Sequence, residues 1–97
     1  MVANLLSSRQ PILDKIVFFC AVVRLGSFRE AALQQGISPA AGSRWVKELE
    51  ESLSVELIKR STRQLVTTQA GQLLYDKFAP LLPDIASLCE EVQNLAE

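Results

Sequence analysis

The twenty residues from Ser27 to Val46, SFREAALQQGISPAAGSRWV, constrain the fold of this chain more than any other stretch. Ser27 and Glu30 have the spacing of a capping box, in which the hydroxyl accepts from the Glu30 N–H and the carboxylate returns to the Ser27 N–H. Ala31 and Ala32 are small enough to let another helix approach closely. Gly36 offers a left-handed residue at no steric cost, which a sharp turn after a helix needs. Ser38 then caps a second helix, and Pro39 takes its first position, where a missing N–H does no harm. Ile37 becomes the apolar plug beneath the turn. Two caps, small residues and a turn glycine at this spacing predict a helix-turn-helix.

The second helix is expected from Ser38 to about Leu53. Val46, Leu49 and Leu53 share one stripe at spacings of three and four, the mark of a buried face. Ala40, Ser43, Arg44 and Lys47 fall on the opposite side, near the start of the helix. In a DNA-binding helix-turn-helix that end of the second helix enters the major groove. Small residues permit close approach there, Ser donates or accepts, and Arg grips guanine O6 and N7 with two donors. The plainer reading is a solvated face on an ordinary helical hairpin.

Around this motif, a first helix is expected from Pro11 to just before Gly26, with Ile12, Leu13, Ile16, Phe19, Cys20 and Val23 facing inward. Phe18 and Val22 make it apolar nearly all round, so it belongs at the centre of a core that also takes Phe28, Ala32, Ile37 and Val46. Gly42 lies on the inward stripe of the second motif helix and removes a large side chain from it. Trp45, about 60° off that stripe, is expected to lean across and fill part of the gap. Beyond Leu53, Val55-Glu56-Leu57 and Leu65-Val66-Thr67 are β-favouring and flank the polar Lys59-Arg60-Ser61-Thr62-Arg63-Gln64. They predict a two-stranded hairpin, or wing, with cations at its tip. Beside a helix-turn-helix such a hairpin touches phosphates or the minor groove more often than solvent alone.

Thr68 is placed to cap a final helix. Leu74, Phe78, Leu81, Ile85, Leu88, Val92 and Leu95 are spaced 4, 3, 4, 3, 4, 3, a heptad seam that calls for a partner helix. The body is too small to cover all of it, which favours dimerisation over packing back on the same chain. Pro80 and Pro83 each remove a backbone hydrogen bond, so a bend or break is expected between Ala79 and Pro83. The organisation is then a lead-in at 1–10, a compact domain at 11–67 and a linker or dimerisation helix at 68–97. In fold class it is mainly α: a three-helix body with a two-stranded β wing, a winged helix-turn-helix, followed by a long helix.

A net charge of −1 suits a DNA-binding protein poorly until the chain is divided. Residues 1–73 hold nine basic and six acidic side chains, whereas residues 74–97 hold one basic and five acidic. Apolar content of 48% is enough for one small core, and the longest apolar run, Ile16 to Val23, is too short to span a bilayer. No basic, apolar leader opens the chain, so a cytoplasmic protein with no membrane partner is expected, with Cys20 and Cys89 as reduced thiols. The sequence has no His, no metal-spaced Cys cluster and no phosphate-binding Gly loop, so neither an enzyme nor a cofactor is implied. The stronger rival is a helical protein-interaction module whose 74–95 seam binds a partner, and Ser43, Arg44, Lys47 and the cationic wing argue against it.

Taken together, LGSFREAA at 25–32, ISPAAGSRWVKELEESLSVELIKR at 37–60 and Arg63 with Thr68-Gln-Ala-Gly71 resemble the N-terminal DNA-binding domain of LysR-type transcriptional regulators. The start of molybdate-type regulators is related in pattern. The LysR resemblance covers roughly residues 11–97 and implies a dimer on imperfect inverted repeats of double-stranded DNA. It implies DNA contacts at Ser38, Pro39, Ala40, Ser43, Arg44 and Lys47 in the major groove. Arg63 is implied at the minor groove, Arg60 at the base of the wing, and Ser27 and Phe28 at the phosphate backbone. The chain departs from the family at Gly42, where Val or Leu is usual, at Trp45 and Pro39, where Gln is frequent, and at Thr67, where Leu is common. An effector ligand is expected to act only through a C-terminal domain that this chain lacks.

Overall fold

The first helix, α1 at Ile12–Leu25, is the axis on which the other helices are laid. The computed structural model describes residues 12–60 and 63–96; the expected lead-in at 1–10, Pro11, the wing residues Ser61 and Thr62, and Glu97 lie outside the described residues. The helix α2 at Phe28–Gln35, α3 at Pro39–Leu53 and α4 at Gln69–Phe78 all pack against α1. Three neighbours explain why α1 is apolar nearly all round: Ile16, Phe18, Phe19, Cys20, Ala21 and Val22 are all buried. Leu13, expected to face inward, is instead 40% exposed, because it sits in the first turn, beyond the reach of the described elements that cover the middle of α1.

The local signals of the motif act as expected. The Ser27 hydroxyl accepts from the Glu30 N–H at 3.1 Å, and the Ser38 hydroxyl accepts from the Ala41 N–H at 3.1 Å. Among the described residues the Glu30 carboxylate makes no return bond, so only half of the capping box forms. Gly36 stands at φ 72°, and the Ile37 N–H reaches back to the Ala32 carbonyl at 3.0 Å, closing α2 and sending the chain into α3. Val46 and Leu49 are fully buried on the inner stripe of α3.

Gly42 is the close point of the α1–α3 contact. A Cβ there would overlap the tip of the Phe18 ring and stand 2.9 Å from its Cε2. Phe18, rather than Trp45, therefore fills the space that the glycine leaves, which corrects the expectation for this pair. Trp45 is half-buried and meets the Phe18 ring edge-on, with centroids 6.1 Å apart and planes at 81°. The reason is reach: a side chain on the facing helix points straight into the gap, whereas Trp45 shares a helix with it.

The wing is shorter and later than the β-favouring residues suggested. Strand β1 is Ile58–Lys59 and strand β2 is Val66–Thr67, antiparallel, with Ile58 opposite Thr67 and Lys59 opposite Val66. Residues 55–57 lie outside the two-residue strand, and their polar groups bond mainly to α3 and to Thr68. The Leu57 N–H donates to Glu50, the Leu57 carbonyl accepts from the Thr68 N–H at 2.9 Å, and the Glu56 carbonyl accepts from the Thr68 hydroxyl at 2.6 Å. Thr68 also caps α4, its Oγ1 accepting from the Gly71 N–H at 3.0 Å. Here Gly71 is a steric requirement, since a Cβ would overlap the Leu57 carbonyl oxygen. Thr67 is half-buried and donates to Gln72 Oε1 at 3.0 Å, so its hydroxyl has a partner where an apolar side chain would pack.

After Phe78 the chain tightens into a 3-10 turn, Ala79–Leu81, before α5 at Leu82–Asn94. Pro83 has no N–H to offer the Ala79 carbonyl four residues back, and the Leu82 N–H takes that carbonyl at the tighter spacing instead. The change of helix divides the heptad seam. Leu74 and Phe78, expected with the rest of the seam to serve dimerisation, instead pack against the domain's own core together with Ala79 and Leu82. From Ala86 to Ala96 every residue is exposed, so α5 leaves the body and stretches the molecule to 51 Å.

Candidate DNA-binding surface

The outer face of α3 carries Ser38, Pro39, Ala40, Ser43, Arg44 and Lys47, all exposed. The stripe arithmetic places them together because burying Val46 and Leu49 turns the opposite side outward. Nothing larger than Ala40 or Pro39 stands at the leading end, so a flat surface can come close to the helix before meeting Arg44. The Ser38 hydroxyl is already engaged as the cap of α3, which leaves Ser43 as the face's uncommitted hydroxyl.

A second cationic element lies at the wing. Between the start of α2 and the wing runs a cleft of about 330 Å³, lined by Gly26, Ser27 and Phe28 on one side and by Lys59, Arg60, Arg63 and Gln64 on the other. The N-terminal end of α2 contributes a partial positive charge to this cleft. Lys59 and Arg63 are exposed. Among the site residues expected from sequence, Ser27, Phe28, Arg60 and Arg63 thus gather around one cleft, and Lys59 joins them although it was not singled out.

Two expected contacts are otherwise employed. Phe28 is half-buried, its ring 6.3 Å from that of Phe18, so it packs on the core while also lining the cleft. Arg60 Nη2 donates to Glu50 Oε1 at 2.7 Å, an ion pair that spends part of its charge within the protein. The other Glu50 oxygen accepts from the Leu57 N–H at 2.7 Å and the Ile58 N–H at 3.2 Å. Burial pushes the Glu50 carboxyl up, but the Leu57 N–H, the Arg60 guanidinium and the Ile58 N–H outweigh it and hold the group below its ordinary value. No periodicity or motif flagged Glu50, because its partners are seven to ten residues away across a turn.

Sequence reasoning also missed Lys15, which is 3% exposed on α1 and pairs with Glu48 of α3 at 3.7 Å. Cys20 is a core thiol: burial pushes it up to about 11 against a smaller opposing effect of Arg24, so it stays protonated at neutral pH. Cys89 is exposed, and both thiols are free. No helix among the described residues is long and apolar enough to cross a membrane.

Three helices with a turn at Gly36, a short antiparallel wing and a cationic outer helix face define a winged helix-turn-helix protein. Residues 13–72 match the bacterial regulatory helix-turn-helix proteins of the lysR family, and the chain belongs to that family. An HTH-type transcriptional regulator of Haemophilus influenzae, itself uncharacterised, is 41% identical over 83 residues, which are 86% of this chain and 29% of the relative. The chain therefore spans under a third of the length of such relatives. Among solved structures, the BenM DNA-binding domain in complex with catB site 1 DNA is 30% identical with a TM-score of 0.79, over 88% of this chain and 96% of that one. A Corynebacterium glutamicum OxyR C206 mutant is 28% identical with a TM-score of 0.80, over 93% of this chain and 29% of that one.

Proposed function

We propose that this chain is the sequence-specific, double-stranded-DNA-binding part of a transcriptional regulator. The observation that carries the proposal is the exposed, small-to-polar helix face of Ala40, Ser43, Arg44 and Lys47 in one domain with the cationic cleft of the wing, lined by Lys59, Arg60 and Arg63. In this reading α3 enters the major groove, with Arg44 on a base edge and Lys47 on a phosphate. The wing meets the neighbouring minor groove through Arg63, and the backbone at the start of α2 meets a phosphate. The BenM domain, similar in fold over nearly all of its length, is itself held on a DNA site, which supports the reading.

The functional unit is a homodimer on an imperfect inverted repeat. Its contact is the part of the seam left bare: Leu81, Leu88, Val92 and Leu95 are 48–83% exposed, and half-buried Ile85 lies between them. An effector acts, in the intact regulator, through the part of the protein beyond this chain. Selection of bound sequences from a random duplex pool, followed by salt titration of the winners, tests the proposal. Enrichment of a two-fold repeat, with affinity falling steeply as salt rises, is the expected result. Absence of any duplex binding at low salt overturns it in favour of a protein-interaction module.

A further inference from the structure

We propose that Glu50 is a positioning residue for the wing, tying α3 to β1 and to Arg60 so that Arg63 stands at a set place relative to the Ser43–Lys47 face. The inference rests on the DNA-binding reading for its consequence and on the geometry of the free protein for its cause.

Glu50 sits in the last turns of α3, the helix that carries the candidate major-groove face. One carboxylate oxygen accepts from two successive backbone N–H groups, Leu57 at 2.7 Å and Ile58 at 3.2 Å. The other holds the Arg60 guanidinium at 2.7 Å. A single side chain thereby grips the wing where it leaves α3, where β1 begins, and just past β1. Burial of Leu57 and Ile58 in the core and the Thr67–Gln72 hydrogen bond hold the base of the wing, but neither reaches Arg60, and the ladder among the described residues, Ile58 to Thr67 and Lys59 to Val66, is too short to be rigid on its own. The far end of the wing is anchored through Thr68 to Glu56 and Leu57, so both strands hang from the same short lead-in that Glu50 holds. Charge-assisted hydrogen bonds are the strong kind, and the Glu50 side chain is only 11% exposed, which keeps water from competing for them.

Arg60 changes role on this reading. It points back at Glu50 rather than outward, and serves as the other half of the clasp while Arg63 supplies the contact. Specificity then depends on Glu50 without Glu50 touching DNA: the distance between a base read by Arg44 and a groove entered by Arg63 is set inside the protein.

Two measurements on the whole chain test this, after thermal melting has verified that each variant is folded. The first needs no DNA. In Glu50→Ala, amide exchange at Leu57, Ile58 and the wing pairs should quicken about tenfold or more while α1 keeps its protection. Unchanged wing exchange overturns the proposal. The second is a cycle on a random-sequence duplex and on a selected operator. Arg63→Ala should weaken binding of the unchanged chain by about tenfold, but by less than about twofold in the Glu50→Ala background, where the wing is no longer held. The same factor in both backgrounds shows that Glu50 does not place Arg63, and overturns the proposal. Glu50→Gln, which keeps an acceptor for Leu57 but loses the charge, should fall between the two, and it serves in the cycle if Glu50→Ala does not fold. If the unchanged chain binds no duplex, the DNA reading fails while amide exchange still decides whether Glu50 holds the wing.

Discussion

Phe18 is the side chain on which the interior turns. It is fully buried, it meets Phe28 and Trp45, and its tip rests on the bare backbone of Gly42. Gly42→Ala would ordinarily stabilise a helix interior by ~1 kcal/mol. Here the added methyl meets a ring that is walled in on all sides, and overpacking of that kind costs ~1–3 kcal/mol. Chemical denaturation should therefore show net destabilisation, partly relieved when Phe18→Leu shortens the opposing side chain. Trp45→Ala leaves the Phe18 edge uncovered but exposes a site already half open to water. The expected loss is about 2 kcal/mol, below the ~3–5 kcal/mol of a fully buried aromatic. A loss under about 0.5 kcal/mol would mark Trp45 as a surface residue available to DNA or a partner.

Among the elements, the proposed DNA-binding reading divides the work of recognition between α3 and the wing. Arg44 lies within the first two turns of α3, where a side chain reaches base edges, whereas the minor groove offers Arg63 few distinct patterns to read. Arg44→Ala should cost ~1–3 kcal/mol on a selected operator and relax preference at one base pair per half-site. Arg63→Ala should weaken all duplexes more evenly and flatten the salt dependence by about one unit of slope. Equal losses on operator and random duplex for Arg44→Ala would reduce it to a phosphate contact. The clasp between these elements also predicts a pH dependence. The Glu50 carboxyl is held below its ordinary value, so its stabilisation is complete above the usual glutamate range, about pH 4.3, and is lost as pH falls through the lowered folded-state value. Glu50→Gln should flatten that acid limb in denaturation curves measured between about pH 5 and 2, while leaving the shape of the curve near pH 7 unchanged.

At the scale of the whole molecule, the proposed function gives the acidic, bare end of α5 and the basic face of α3 different tasks. Covering Ile85, Leu88, Val92 and Leu95 with a second copy would contribute ~1.5–3 kcal/mol per side chain before the costs of association. Because neither Ile85 nor Leu88 is among the residues packed against the core, Ile85→Asp with Leu88→Asp should give a folded monomer with weakened operator binding. Sedimentation of the unchanged chain as a monomer at high micromolar concentration would refute the dimer. A dimer also requires its half-sites on one face of the duplex, so moving one by ~5 base pairs should abolish tight binding.

Most short-range features were legible in the sequence alone, the return bond of the Ser27–Glu30 capping box excepted. Ser27, Ser38 and Thr68 each cap a helix within three residues, Gly36 turns the chain, and the 3.6-residue period separates Val46 and Leu49 from Ser43, Arg44 and Lys47. The cationic helix face was legible for that reason, and so was the order of the elements. Tertiary structure alone decided which groups meet across helices. β propensity favoured Val55–Leu57 as a strand, but the tertiary structure bonds the Val55 N–H back to the end of α3 and the Leu57 N–H to Glu50, and the paired residues are Ile58 and Lys59. The heptad spacing ran unbroken from Leu74 to Leu95, but the turn at Ala79–Leu81 gave its first residues to the core and its last to the surface. Propensity and periodicity describe one segment at a time; a hydrogen-bond donor or a bare glycine acquires its partner only when a second segment arrives.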